Sequence, residues 1–179
     1  MAWAAWAVTG CDGGNYMEVY DLPDEGWRAD QAIVFTFRPD SAVVGRGGRH
    51  GGGEQEEQWI DLSVRHRNDF PYADLPLEIK GVSPDKRYWI DTIDLPLARL
   101  SDNGDLLSEP AYRWTGRAYS NHRDITIRYR SGIRYARAGE YALSIRQLAE
   151  PDTLRGILAV GVIVSRAQAA TIAGRRPRP

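Results

Sequence analysis

The sequence has one cysteine in 179 residues, Cys11, and no apolar run that approaches the roughly 18 residues of a membrane span. A single thiol excludes an intramolecular disulfide and any zinc or iron–sulfur centre built from several cysteines. Lysine is also scarce, since only Lys80 and Lys86 occur among 23 basic residues. The net charge of −1 gives no sign of a nucleic-acid partner, because such proteins present an excess of basic residues.

Sustained helical periodicity is missing as well, and short segments alternate apolar with polar residues instead. The alternation is clearest in 57–67 and 123–135, where branched and aromatic residues fall on one face. The other segments predicted to be strands are 31–37, 75–79, 87–98, 140–146 and 155–165. The last of these is almost entirely apolar, which predicts a strand buried on both faces.

Glycine and proline separate these predicted strands. Ser131-Gly132 predicts a β-bulge inside 123–135, and the tight ARAG turn at 136–139 predicts a hairpin with the strand that follows. RQLAEPDTL (146–154) has room for one helical turn before its proline. The whole pattern predicts an all-β fold, an antiparallel, jelly-roll-like β-sandwich with at most short helical turns.

The ten residues before Cys11, MAWAAWAVTG, are apolar and small, as in a secretory leader. VTGC (8–11) resembles a bacterial lipobox, whose cysteine is acylated and becomes the mature N-terminus. A core cysteine requires apolar periodicity on both sides, and none follows Cys11. A catalytic thiol requires an electropositive setting, whereas the adjacent Asp12 disfavours a thiolate. The sequence therefore predicts lipid attachment at Cys11, with the true start upstream of Met1.

These features divide the chain into four predicted regions. Residues 1–10 form a truncated lipoprotein signal segment, 11–26 a tether and lead-in, 27–165 the β-sandwich domain and 166–179 a disordered basic tail. The tail, RAQAATIAGRRPRP, contains proline and arginine but few side chains that a core would bury, which is why we predict disorder there.

No motif for catalysis, metal binding or cofactor binding is complete. The glycine-rich GRGGRHGGGEQ (45–55) lacks the Lys-Ser/Thr end of a phosphate-binding loop and precedes a predicted strand. No two of the three histidines have the spacing of metal ligands. Ser63, His66 and Asp69 have the letters of a catalytic triad, but Ser63 and His66 fall on opposite faces of a strand. We predict no catalytic residue, metal, cofactor or small-molecule substrate.

Three arginines of segment 123–135 face away from its isoleucines and tyrosines: Arg128, Arg130 and Arg134. One interpretation is a solvated outer face, with each arginine paired to an acidic residue on a neighbouring strand. The sharper interpretation is a stripe that docks an acidic partner. Exposed charge is the usual occupant of the outer face of a sandwich, which favours the first interpretation.

Tryptophan is abundant, with six residues, of which Trp3 and Trp6 fall in the leader. The other four are Trp27, Trp59, Trp89 and Trp114. Burial is the commoner fate of these side chains, but sugar-binding β-sandwiches present aromatic rings on their surface. A carbohydrate-binding module is therefore the alternative function on the same fold.

RHRNDFPY (65–72) combines polar residues with a turn. One interpretation is an active site with His66 as the base, oriented by Asp69. The structural interpretation starts from the turn, because Asn and Asp side chains bond their own backbone and Pro71 fixes the chain direction. Aromatic residues then cover one end of the sandwich, while Arg65 or His66 bonds carbonyl groups at the bend. We interpret the segment as a structural corner formed by Arg65, His66, Asp69, Pro71 and Tyr72.

The surrounding stretch, SVRHRNDFPYADLPLEI (63–79), resembles the gliding-motility lipoprotein family of the GldH type, whose pattern is close to RHxxxYPYxNLxLxI. The matching positions are Arg65, His66, Pro71, Tyr72, Leu75, Leu77 and Ile79, with Phe70 for the aromatic residue before proline and Asp74 for the usual Asn. Further matches follow in the order of the family: 91–98, Trp114 with Gly116, Gly139 with Tyr141 and Gln147, and 154–164.

The resemblance spans about residues 11–165 and implies a function. It implies a non-enzymatic cell-envelope lipoprotein, an accessory component of the gliding motility and type IX secretion machinery. It also implies envelope proteins of that machinery as partners, and membrane attachment through lipid on Cys11. The protein would then face the periplasm, on either the outer or the inner membrane. A hydrolase is the third class of function, and no constellation of residues supports it.

Overall fold

In the computed structural model, the residues described are 16–39, 57–100, 112–114 and 116–166. They form strands and turns and contain no helix. The strands are β1 (Tyr16–Asp21), β2 (Trp27–Arg28), β3 (Ile33–Phe37), β4 (Gln58–Arg67), β5 (Asp74–Val82), β6 (Tyr88–Pro96), β7 (Ala98–Leu100), β8 (Tyr112–Trp114), β9 (Arg117–Ala118), β10 (His122–Ile133), β11 (Tyr141–Gln147), β12 (Thr153–Leu154) and β13 (Ile157–Arg166). Each of the seven predicted strands overlaps one of these.

Two antiparallel sheets form a sandwich. The first has the order β1-β13-β4-β10-β9 and the second the order β3-β11-β5-β6. Two short ribbons, β12-β2 and β7-β8, complete the described part of the chain. The all-β sandwich predicted from the sequence is confirmed. Residues 16–21, which lie in the predicted lead-in, form the edge strand β1 beside β13.

Alternation along the strands explains the core. In β4, Ile60, Leu62 and Val64 are buried and the residues between them are partly exposed. The facing strand β5 buries Leu77 and Ile79 in the same way. Each such side chain stabilises the fold by about 1.5–3 kcal/mol relative to an exposed position, so a slip of one residue in either strand would be costly. The central strand β13 also buries small residues on its outer face, as its apolar sequence predicts.

The hairpin predicted for the ARAG turn is wrong. Strand β10 belongs to the first sheet and β11 to the second, so the turn carries the chain from one sheet to the other. Tyr135 and Tyr141, on either side of the turn, are both buried and meet edge to face at 4.8 Å between ring centroids. Because these two rings close the core between the sheets, the strands face each other instead of pairing.

The bulge predicted at Ser131-Gly132 is confirmed. The register between β10 and β4 shifts between Arg130 and Ile133, and Gly132 has a φ of +67°, which favours glycine. A second shift lies between Arg128 and Arg130. It leaves Arg128 opposite Asp61 on the outer face but Arg130 opposite Ile60, whose side chain points into the core. The bulges therefore turn neighbouring arginines of β10 to different sides.

Asp91 of β6 joins the two sheets at their open edge. Its carboxylate accepts hydrogen bonds from the Tyr129 hydroxyl and from the Arg130 guanidinium, the latter at 2.5 Å. The hydrogen bond from Tyr129, followed by that from Arg130, holds the pKa of Asp91 below its usual range. Since both donors belong to β10 of the first sheet, this cluster is a polar latch between the sheets.

We expect Asp91→Asn to lower the free energy of unfolding by about 1–2 kcal/mol at pH 7, because it weakens two charge-assisted hydrogen bonds at a partly exposed site. The folded-state pKa of Asp91 is lowered, so its contribution is present above the pKa of the unfolded chain and is lost as the pH falls through the folded value. Urea unfolding at pH 7 and at pH 3 measures both effects. Asp94→Asn, on the exposed face of the same strand, is the control and should change little. Equal losses for both variants would contradict the latch.

Different turns and chain segments meet at the two ends of the sandwich. We call one the Tyr16 end. It comprises the start of β1, Arg38, Glu57, Arg166 and the turns 83–87 and 134–140, which an ion pair between Arg137 and Asp85 (3.1 Å) holds together. The other, the corner end, comprises residues 22–25, 67–74 and 149–156. Strand β1 runs from the first end to the second.

Candidate functional site

The RHRNDFPY segment lies at the corner end, where β4 finishes and the chain turns towards β5. The amide of Phe70 donates to the carbonyl of Arg67 (3.1 Å), and the amide of Arg67 donates to the carbonyl of Gly156 (2.8 Å). The side chain of Asn68 donates to two carbonyls, those of Tyr119 and Ser120, both at 3.1 Å. These bonds tie the corner to β13 on one side and to the β9–β10 connection on the other.

His66 is the buried polar residue of the corner, with a fully buried side chain. Its Nδ1 lies 2.7 Å from the carbonyl of Arg67, so the ring donates from Nδ1 and holds the bend, as the structural interpretation requires. Burial is the main reason that the pKa of His66 is lowered. Asp69 does not orient this ring, because its carboxylate is exposed and pairs with Arg67 at 3.0 Å.

The remaining predicted corner residues lie on the surface. Arg65 is on the outer face of β4 and forms a two-point ion pair with Asp124, at 2.7 and 3.1 Å. Pro71 is exposed, and Tyr72 retains 45% of its accessible surface. The buried ring of Phe70 packs between His66 and Tyr72, with centroid distances of 5.6 and 5.5 Å. Tyr72 is therefore an exposed aromatic ring that packs against the buried ring of Phe70.

A cleft of about 690 Å³ opens beside this corner. It lies between the corner, Pro23 at the end of β1, and the segment that leads through β12 into β13. A second, smaller pocket of about 250 Å³ adjoins it. The two share four lining residues: Phe70, Tyr72, Pro151 and Leu154. These side chains make the wall between the two pockets apolar, whereas polar and charged groups also line the larger cleft.

Acidic residues surround this cleft. The corner-end segments contain six acidic residues, Asp24, Glu25, Asp69, Asp74, Glu150 and Asp152, against two basic residues, Arg67 and Arg155. The hydrogen bond from Arg67 is the main reason that the pKa of Asp69 is lowered, so that carboxyl group stays charged near neutral pH. A charged, exposed carboxylate is a poor general acid but a good partner for a cation. Both arginines line the larger cleft with Asp24 and Asp69, whereas Asp74 and Glu150 line the smaller pocket without a basic residue. The smaller pocket and the flanking segments therefore favour a ligand with positive charge.

The three predicted docking arginines do not share one face. Arg128 stacks on the Trp59 ring at 3.8 Å and pairs with Asp61 on the outer face of the first sheet. Arg130 joins the latch at Asp91, and Arg134 pairs with Glu57 at 2.8 Å. Each guanidinium thus has an acidic partner on a neighbouring strand or turn, which is the first of the two arrangements that the sequence suggested. A docking role for them remains a prediction.

The tryptophans do not form an exposed row in the described residues. Trp27 is fully buried and donates its indole N–H to the carbonyl of Gln31 at 2.9 Å. Trp59 lies under Arg128, and Trp89 covers Gly81, where a Cβ atom would overlap with its ring. The side chain of Trp114 lies outside the described residues, as do Cys11 and the glycine-rich segment 45–55.

Sequence reasoning missed the cleft itself, because its wall combines segments more than eighty residues apart. The prolines at positions 23, 71 and 151 were visible, but nothing local showed that they meet. The described residues contain no group of three His, Cys, Asp or Glu side chains able to hold a metal ion. Ser63 lies on the outer face of β4 and His66 on the inner face, as the alternation predicts.

The family model of the GldH lipoprotein matches residues 52–164. This range contains the corner, the latch and most strands of both sheets, and it covers more than half of the chain. The chain belongs to the GldH lipoprotein family. No curated protein and no solved structure matches it.

Membership of the GldH lipoprotein family makes this a gliding-motility-related lipoprotein, anchored to a membrane of the cell envelope. The resemblance given by the corner motif and the later segments in the sequence is thereby confirmed. No helix in the described part of the chain has the length and hydrophobicity to cross a membrane.

Proposed function

We propose that this protein is a non-enzymatic accessory lipoprotein of the gliding motility and type IX secretion machinery. Lipid on Cys11 holds it to the membrane, facing the periplasm, and the cleft at the corner end binds an envelope protein of that machinery. The observation that carries the proposal is the position of the cleft. It lies at the end of the sandwich opposite Tyr16, which follows Cys11 by five residues.

The chemistry of the cleft defines the partner segment. Aromatic and proline side chains form stiff apolar surfaces that receive extended, proline-containing peptides with little loss of entropy. The surplus of acidic residues around the rim selects a segment that contains Arg or Lys. We therefore propose an extended, basic segment of an envelope protein as the ligand.

The titratable groups of the corner support binding over catalysis. A general acid or base works best with a pKa near the operating pH and direct access to substrate. His66 is fully buried and bonded to the backbone, and the pKa of Asp69 is lowered by its bond from Arg67. Neither group meets both conditions.

Cross-linking in the native envelope tests the docking site. A photoreactive phenylalanine analogue at position 72 should give a defined cross-linked envelope protein, which mass spectrometry identifies. The same analogue at Tyr119, which is 40% exposed and also packs on one neighbouring ring, is the matched control. The proposal fails if position 72 gives no product, or if both positions give the same products in the same yield.

Lipid attachment at Cys11 gives a separate prediction. Protein produced in its native host should incorporate labelled fatty acid, whereas Cys11→Ala should not and should leave the membrane fraction. A triacylated terminus supplies the more than one acyl chain that stable anchoring requires. Metabolic labelling and fractionation measure the two outcomes. A Cys11→Ala protein that still labels, or still partitions with membranes, would show that another residue holds the lipid.

A further inference from the structure

The described segments that meet at the two ends of the sandwich differ in their charge. At the Tyr16 end there are six basic residues, Arg38, Lys86, Arg87, Arg134, Arg137 and Arg166, and three acidic ones, Glu57, Asp85 and Glu140. The corner end has the opposite surplus, with six acidic and two basic residues. These two sets of segments therefore carry opposite surpluses of charge, although the net charge of the whole chain is only −1.

The ion pairs at the Tyr16 end do not neutralise all of its positive charge. Arg87 and Arg137 share the single carboxylate of Asp85, at 3.3 and 3.1 Å. Arg38 and Glu140 are 3.6 Å apart and both exposed, so water screens their attraction. Lys86 occupies the tip of the 83–87 turn with a φ of +65° and is exposed. The exposed cations of the 83–87 and 134–140 turns, Lys86, Arg87 and Arg137, are therefore only partly neutralised and can contact an anionic surface.

An exposed aromatic ring adjoins these charges. Tyr88, directly after the 83–87 turn, retains 66% of its accessible surface, and the Lys80 ammonium lies 5.2 Å from its ring centre. Tyrosine rings with a polar tip are favoured at the headgroup level of a membrane. Basic side chains beside such a ring form the usual chemistry of an interfacial contact.

We propose that the Tyr16 end rests on anionic phospholipid headgroups and that the corner end is directed away from the membrane. This inference relies on lipid attachment at Cys11, as proposed above. Tyr16 follows Cys11 by five residues, a stretch of chain that spans at most about 18 Å, so the Tyr16 end stays near the lipid surface. An anionic surface attracts the basic end and repels the acidic one, so the cleft faces its partner across the periplasm.

Because Cys11 is the only cysteine and is acylated, an introduced cysteine provides a single free thiol for a fluorophore. Ala138→Cys labels the Tyr16 end and Thr153→Cys the corner end, and both positions are exposed. The lipidated full chain is reconstituted in vesicles of phosphatidylcholine and anionic phosphatidylglycerol that carry a lipid-borne energy acceptor, since an anionic surface attracts basic side chains. We expect stronger energy transfer from position 138 than from position 153. The difference should shrink in 1 M NaCl and in vesicles of phosphatidylcholine alone.

Neutralisation of Lys86, Arg87 and Arg137 to Gln should abolish the salt-sensitive part of the difference. The control neutralises Arg67 and Arg155, the two basic residues of the corner end, and should preserve or increase the difference. Thermal melts confirm that each variant is folded. Equal energy transfer from both positions would overturn the proposed orientation. A difference that does not change with salt or with lipid charge would overturn it as well. If the protein did not bind to vesicles at all, the proposed lipid attachment at Cys11 would be contradicted instead.

Discussion

Tyr72→Ala is expected to reduce capture of the envelope partner by about tenfold or more and to reduce surface gliding accordingly. Tyr72 lines both pockets at the corner end and is the exposed ring of the wall between them. Removal of a central aromatic anchor from an interface costs about 2 kcal/mol or more, and each 1.4 kcal/mol is a factor of ten in affinity.

Folding should be affected little by this change, which is what makes it informative. To folding, Tyr72 contributes its edge-to-face contact with Phe70, which is worth about 0.5–1.5 kcal/mol. Tyr119→Ala removes a tyrosine of similar exposure that stacks on His122, 4.6 Å between centroids, and lines neither pocket. Quantitative pull-down and colony spreading compare the two variants at matched abundance. If Tyr72→Ala captures the partner as well as the wild type does, or if Tyr119→Ala loses capture to the same extent, the cleft is not the docking site.

His66→Ala is expected to lower the free energy of unfolding by about 2–4 kcal/mol, the combined cost of a cavity and of the lost hydrogen bond to the carbonyl of Arg67, which keeps only the amide of Phe70 as a donor. The side chain is fully buried, bonds the carbonyl of Arg67 and supports the ring of Phe70. Function should fall only as far as the amount of folded protein falls. A His66→Ala protein with normal stability and abundance but no function would instead indicate an active or binding site.

Asp69→Ala is the control for this prediction. Its carboxylate is exposed and pairs only with the exposed Arg67, so we expect a change within about 1 kcal/mol. The sequence predicts that both residues support the corner. Burial separates them, because a pair of solvated charges contributes far less than a buried ring that satisfies a backbone carbonyl.

The buried histidine also gives a pH dependence. The pKa of His66 is lowered by burial, so the unfolded chain binds the proton more readily than the folded protein. The stability is complete above the pKa of the unfolded chain, about 6.5, and is lost as the pH falls towards the lower folded value. As the pH is lowered from 8 to 5, the urea midpoint of the wild type should fall more than that of the His66→Gln variant. Parallel curves for the two proteins would contradict this assignment.

Local patterns in the sequence determined seven of the described strands, the bulge at Ser131-Gly132 and the family. Alternation fixes which side chains of β4 or β13 face the core, because successive residues of a strand point to opposite sides whatever the strand pairs with. The corner motif is equally local, since the turn and the proline act within a few residues.

Tertiary structure alone decided which sheet each strand joined, and most of the candidate site depends on that. The ARAG turn has the composition of a hairpin, yet Tyr135 and Tyr141 gain more by closing the core between the sheets. A bulge beside Arg130 turned that side chain to Asp91 of the opposite sheet, which no periodicity could indicate. The cleft and the opposite charges of the two ends arise only where distant segments meet, because side-chain contacts between sheets depend on pairing partners that the local sequence does not encode.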